Sequence, residues 1–145
     1  MISCFEHLPN ELIYKIFRYF DYLNIHTAFS NLNRRFSKLI NNDSNFPIAI
    51  HLSSMSKQVL KRYNETIIEP NKHRIRSIYI SNEFMHEIIF PTHEKLPEFT
   101  QIEALNVTIE GKYLEKFLEQ LHSLPLLSSL VTSNVHRESI HLTFD

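Results

Sequence analysis

The stretch His7-Leu8-Pro9-Asn10-Glu11-Leu12 opens a run that continues through Ile16-Phe17, Phe20-Asp21 and Asn33-Arg34-Arg35-Phe36 to Leu39-Ile40. Pro9 fits the first position of a helix, where its missing N–H leaves no bond unmade. Glu11 then falls in the first turn, where exposed amides favour a negative charge. Leu12, Ile13, Ile16, Phe17 and Phe20 recur at helical spacing as one apolar stripe, with Lys15 and Arg18 off it. Asp21 ends this run. Asn24 is read as the N-cap of a second short helix carrying Ile25, Ala28, Phe29 and Leu32. A third helix is expected from Arg34 to Ile40, stopped by Asn41-Asn42-Asp43-Ser44.

Units below ~40 residues usually need outside support, because they enclose too little core. The apolar residues therefore divide into two groups. Leu12, Ile13, Phe20 and Leu39 are expected to form the unit's own core. Leu8, Pro9, Ile16, Phe17 and Phe29 are expected to present surface that another molecule covers. Each such anchor contributes about 1.5–3 kcal/mol on full burial, before association costs are subtracted. Nothing in this unit can perform covalent chemistry, so the reading points to a partner before a substrate.

This pattern resembles an F-box over residues 5 to 43. F-box domains are three-helix docking modules that bind the Skp-family adaptor of SCF ubiquitin ligases, and through it a cullin scaffold and a RING subunit. The resemblance implies adaptor contacts from Leu8, Pro9, Ile16, Phe17, Ile25, Phe29, Leu32 and Phe36. Two departures stand out. Phe36 occupies the place of the usual third-helix tryptophan, and the interval from Phe20 to Phe36 is about one residue longer than the family's. An aromatic swap at position 36 keeps most of the apolar contact but loses the indole N–H.

Residues 44–72 read as a linking segment, with strand character in Phe46–Leu52 and a helical segment from Lys57 to Tyr63. Beyond it a repeat emerges. Ile75-Arg76-Ser77-Ile78-Tyr79-Ile80, Ile102-Glu103-Ala104-Leu105-Asn106-Val107 and Leu127-Ser128-Ser129-Leu130-Val131-Thr132 share one apolar pattern, and their first positions lie 27 and 25 residues apart. Tyr113, Leu114, Phe117, Leu118 and Leu121 fall at helical spacing between the second and third strands. A period in the range ~20–29 with such strands resembles a leucine-rich repeat, and Asn82 lies close to where such repeats hold a turn. Ile140-His141-Leu142 is expected to start a fourth strand of the array. No polar C-terminal cap is read, so the array is expected to be truncated, or its last strand covered by a partner or a second copy. The alternation along the strands points Ser77, Tyr79, Ala104, Asn106, Ser129 and Val131 outward as candidate target-binding residues.

Composition narrows the function classes. Fifteen basic and 16 acidic side chains nearly cancel, which gives no global field toward nucleic acid or an anionic membrane. The basic neighbourhood of Lys57, Lys61, Arg62, Lys72, His73, Arg74 and Arg76 is diluted by Glu65 and Glu69 and reads as a solvated face. Gly111 is the single glycine, so a phosphate-cradling loop is not expected. The nine histidines lack metal-ligand spacing, and no nucleophile elbow occurs. The lone Cys4 allows no internal disulfide and fits a reducing compartment. The start Met1-Ile2-Ser3-Cys4-Phe5-Glu6 lacks the features of a secretory signal, and no segment reaches the ~20 apolar residues of a membrane span.

The expected fold is α+β overall, a three-helix F-box (1–43) followed, after the link, by a short α/β leucine-rich-repeat-like solenoid (73–145). The expected function is substrate adaptor of an SCF-type ubiquitin ligase in the cytoplasm and/or nucleus, not an enzyme, with no cofactor or metal and an unidentified target. The alternative is a ligase-independent or truncated F-box module that occupies the adaptor without recruiting a target.

Overall fold

The computed structural model describes residues 4–42, 46, 48–53, 55–81, 83–91, 93–133 and 139–143. The chain divides into two compact units, Met1–Ala49 and Ile50–Asp145.

In the first unit a 3-10 turn at Phe5–His7 leads into α1 (Asn10–Phe17), α2 (Tyr22–Phe29) and α3 (Arg34–Asn42). Pro9 stands at the N-cap, one position before the one expected, and its carbonyl accepts from the Leu12 and Ile13 N–H groups at 3.1 Å each. The N-cap of α2 is Asp21 and not Asn24: the chain is already helical from Tyr22, so Asn24 lies within the first turn. For α3 the cap is Asn33, whose Oδ1 accepts from the Phe36 N–H at 3.0 Å.

The core of this unit is aromatic. Phe17 sits among Phe29 at 5.0 Å, Phe46 at 5.8 Å, Phe5 at 6.2 Å and Phe36 at 6.4 Å between ring centroids. Phe5 stacks on Phe36 at 5.6 Å, and Phe46 meets Tyr14 and Tyr22 edge-on at 5.8 and 6.0 Å. Such offset and edge contacts add to the area term of burial. Phe17, expected as surface for a partner, is therefore only 3 % exposed: Phe5 and Phe46, which flank the helices, supply the cover that three helices alone lack. Of the four residues expected in the core, Ile13 and Leu39 are buried, whereas Leu12 and Phe20 are 44 % and 53 % exposed. The stripe of α1 faces inward through Ile13 and Phe17, which turns Leu12 away, and Phe20 lies beyond the helix end.

The second unit is built on a five-stranded sheet in the order β1-β2-β3-β4-β5: β1 (Ile48–Leu52), which leads in from the first unit, β2 (Ile75–Ile80), β3 (Ala104–Thr108), β4 (Ser129–Ser133) and β5 (Ser139–Thr143). Residues 57–71, expected within the link, form α4 (Lys57–Tyr63), a π-helical turn (Asn64–Ile68) and a last turn α5 (Glu69–Asn71). Ser56 caps α4 by accepting from the Val59 N–H at 3.3 Å. Between β2 and β3 lie α6 (Glu83–Ile89), which the sequence reading did not foresee, and a 3-10 segment at His93–Glu98. Between β3 and β4 lies α7 (Gly111–Gln120), on the helix expected there.

β2, β3 and β4 run parallel, with Ser77 opposite Ala104 and Ala104 opposite Ser129. The 27- and 25-residue spacings seen in the sequence are thus the strand register itself. The Arg76 carbonyl accepts from the Glu103 N–H at 2.8 Å, and the Glu103 carbonyl from the Ser128 N–H at 2.8 Å. One face of the sheet is buried through Ile78, Ile80, Leu105, Val107, Leu130 and Thr132, with Leu60, Met85, Ile89 and Phe117 supplied by the helices. β5 does not continue this series. It pairs antiparallel with β4, Val131 opposite His141, because the five residues between Ser133 and Ser139 are too few for a crossover, which needs a dozen or more. Asn82 lies outside the described residues.

Candidate functional site

Each unit carries one candidate surface. In the helical unit, α1, α2 and the Phe5–His7 turn enclose an open apolar groove of about 350 Å³. Of the eight residues that the sequence nominates for the adaptor, Ile16, Phe17, Ile25 and Phe29 line it. Phe36 is fully buried beneath it and not part of its wall. Leu8, Pro9 and Leu32 lie outside the lining, Leu8 half-buried, Pro9 exposed and Leu32 54 % exposed. Phe5, Phe20, Asn24 and Ala28 complete the groove and were not nominated. By spacing Phe20 belongs to the stripe of α1, and only the end of that helix at Phe17 frees it for the groove.

The groove wall is held by Arg35, whose role no spacing reveals. Its guanidinium donates to the Glu6 carbonyl, to the Leu8 carbonyl at 2.5 Å, and to Asn10 Oδ1 through Nη2 at 2.6 Å and Nε at 3.2 Å. Asn33 Nδ2 adds a bond to Glu6 Oε1 at 3.0 Å. The start of α3 thereby clamps the segment that presents Phe5. Burial holds the His26 imidazole below its ordinary pKa of 6.5, in contact with the Tyr22 ring at 5.9 Å.

In the sheet unit, all six nominated residues meet on one face. Tyr79, Asn106 and Val131 form one cross-strand row and Ser77, Ala104 and Ser129 the next. Together they line a hollow of about 220 Å³. His51 of β1 joins them, its ring stacked on Tyr79 at 5.9 Å and 27°. His51 was missed, although it occupies an outward position of β1.

Among the described residues no group of three His, Cys, Asp or Glu side chains could hold a metal ion. No described helix is long and apolar enough to cross a membrane.

Comparison with known proteins bears on the first unit. Residues 5–47 match the family model of the F-box domain, a domain that generally binds Skp-family adaptors of SCF-type ubiquitin ligases. No curated protein matches the chain. The clamped helices and their apolar groove, at residues 5–47, are an F-box domain.

Proposed function

We propose that this chain is a substrate-recognition adaptor of an SCF-type ubiquitin ligase. The F-box domain docks a Skp-family adaptor and through it a cullin and RING scaffold. The leucine-rich-repeat-like sheet of residues 73–145 holds the target protein. The observation that carries this reading is the F-box match over a unit whose open groove presents Ile16, Phe20 and Phe29. The parallel register of β2, β3 and β4 supports the repeat-like reading of the second unit.

No step of catalysis is assigned to this chain. Its contribution is proximity: a tethered target meets the ubiquitin-loaded enzyme at a raised effective concentration. The place of action is the cytoplasm and/or nucleus. The antiparallel β5, which follows only three parallel strands, favours a second reading, a ligase-independent F-box module with too short an array to hold a target.

Binding of the purified full chain to a purified Skp-family adaptor tests the first step. Phe20→Glu places a charge in the groove at a half-exposed position, so folding is retained while affinity falls at least ~10-fold, about 1.4 kcal/mol. Wild-type affinity in a folded Phe20→Glu protein overturns the docking assignment. Target ubiquitination that survives Asn106→Arg, which fills the sheet hollow, favours the second reading.

A further inference from the structure

From Ser77 on β2 across to Thr143 on β5, the outward positions of the four strands carry no Lys, Arg, Asp or Glu. Charged side chains gather in other places among the described residues, for example in the cluster of Glu69, Lys72, Lys95 and Glu98. Arg76 and Glu103 at the strand starts neutralise each other at 3.1 Å. The hollow in this face has a ring pair, His51 on Tyr79, along one side. Facing it are the half-buried side chains of Ser77, Asn106 and Ser129, and among the described residues none of these three finds a side-chain hydrogen bond inside the chain.

We infer that this face reads an unmodified, uncharged, extended segment of the target protein, with one hydrogen-bonding neutral group seated among Ser77, Asn106 and Ser129 against the His51–Tyr79 rings. The inference rests on the target-holding role proposed above and specifies its chemistry. A phosphate or carboxylate entering the hollow would lose water and meet no lysine or arginine, since phosphate recognition draws on Arg clusters that this lining lacks. A lysine or arginine would likewise find no carboxylate. A carboxamide, hydroxyl or peptide unit instead exchanges its water for the free amide and hydroxyls, and its flat face packs on the rings. Aromatic enrichment with few charges is the composition of an interface centre.

The test is selection of a randomised peptide library on the folded full chain, with an unmodified arm and an arm carrying phosphoserine. The expected result is enrichment from the unmodified arm of peptides without acidic or basic residues at their enriched positions. Their affinity falls at least ~10-fold on Asn106→Leu, which keeps the size and removes the hydrogen bonds. Ser129→Ala, the smallest change to the hollow, gives a lesser loss in the same direction. Preferential enrichment of phosphoserine or acidic peptides that compete at Asn106 overturns the neutral-segment inference and leaves the target-holding role intact. Peptides indifferent to Asn106→Leu and Asn106→Arg, or no enrichment in either arm, overturn both.

Discussion

Arg35→Ala tests whether the F-box domain depends on the clamp between α3 and the segment ahead of α1. The guanidinium serves three acceptors, the Glu6 and Leu8 carbonyls and Asn10 Oδ1. A hydrogen bond from a charged donor contributes about 1.5–3 kcal/mol when its partners are shielded from water. Only the Leu8 bond is partly buried, and the bonds to Glu6 and Asn10 are exposed and exchange readily with water. Counting the Leu8 bond nearly in full and the others at a few tenths gives about 2 kcal/mol, or ~30-fold in the folding equilibrium. The loss should appear in amide hydrogen exchange of α1 and α3 in the full chain, and leave the amides of β3 and β4 protected as before. Arg35→Lys keeps the charge but cannot fork to three acceptors, so it should lose more than half as much. Because the clamp places Phe5 on the groove wall, adaptor affinity should fall with Arg35→Ala even though Arg35 is not part of the lining. Unchanged protection of α1 and α3, within ~0.5 kcal/mol, refutes the argument.

Phe36→Trp restores the aromatic residue usual in the third helix of the resembling family, yet it should destabilise this chain by about 1–3 kcal/mol through overpacking. Phe36 is fully buried against Phe5 at 5.6 Å and Phe29 at 5.5 Å, and thermal unfolding of the variant reads the cost. Asn33→Ala removes the cap of α3 and the bond to Glu6, and should cost about 1–2 kcal/mol in urea unfolding, while Asn33→Asp retains the cap acceptor. His26 is held below its ordinary pKa of 6.5 by burial, so the unfolded chain takes up its proton first as pH falls. Its contribution is therefore intact above about pH 6.5 and declines as pH drops from there through the folded-state value; His26→Leu should flatten the stability profile over that window.

The helical unit was legible where periodicity governs it and opaque where tertiary contacts do. The burial of Ile13 and Leu39 follows from the stripe of their helices, whereas Phe17, on the same stripe, is expected to face a partner and is buried by Phe5 and Phe46. Leu12 and Ile13 are adjacent, so spacing alone centres the stripe on either, and the choice falls to what packs opposite. Phe5 and Phe46 belong to no stripe; they lie beyond the helices in sequence and enter the core only because the chain folds back. Two of the four Arg35 bonds go to backbone carbonyls more than 25 residues away, and a carbonyl leaves no trace in the identity of a side chain. In the sheet unit the repeat disclosed the register, since residues at one phase of a repeat become lateral neighbours. It did not disclose the direction of β5. Ile140-His141-Leu142 alternates identically in either sense, and the short connection decides the matter.

That asymmetry bears on how the candidate site is recognised. The sheet requires apolar residues only on its inward face, at Ile78, Leu105 and Leu130, and a one-residue slip would turn these outward. Register is therefore strongly held, and the outward residues are carried along without being needed for it. Substituting an outward position with Lys or Glu costs a surface residue little, usually within ±0.5 kcal/mol, and added charge aids solubility. Folding and solubility thus permit or favour charge at the exposed outward positions Tyr79, Ser139, His141 and Thr143, and no lysine, arginine or carboxylate is there. β5 could have ended the pattern, but it sets Thr143 beside Ser129 and His141 beside Val131, which extends the absence of lysine, arginine and carboxylate side chains by one more strand. A face whose composition runs against what folding and solubility favour, over four strands that differ in direction, points to a demand from outside the fold. Contact with a neutral partner segment is a demand of that kind, and it accounts for both the missing charges and the unpaired hydrogen-bonding groups in the hollow.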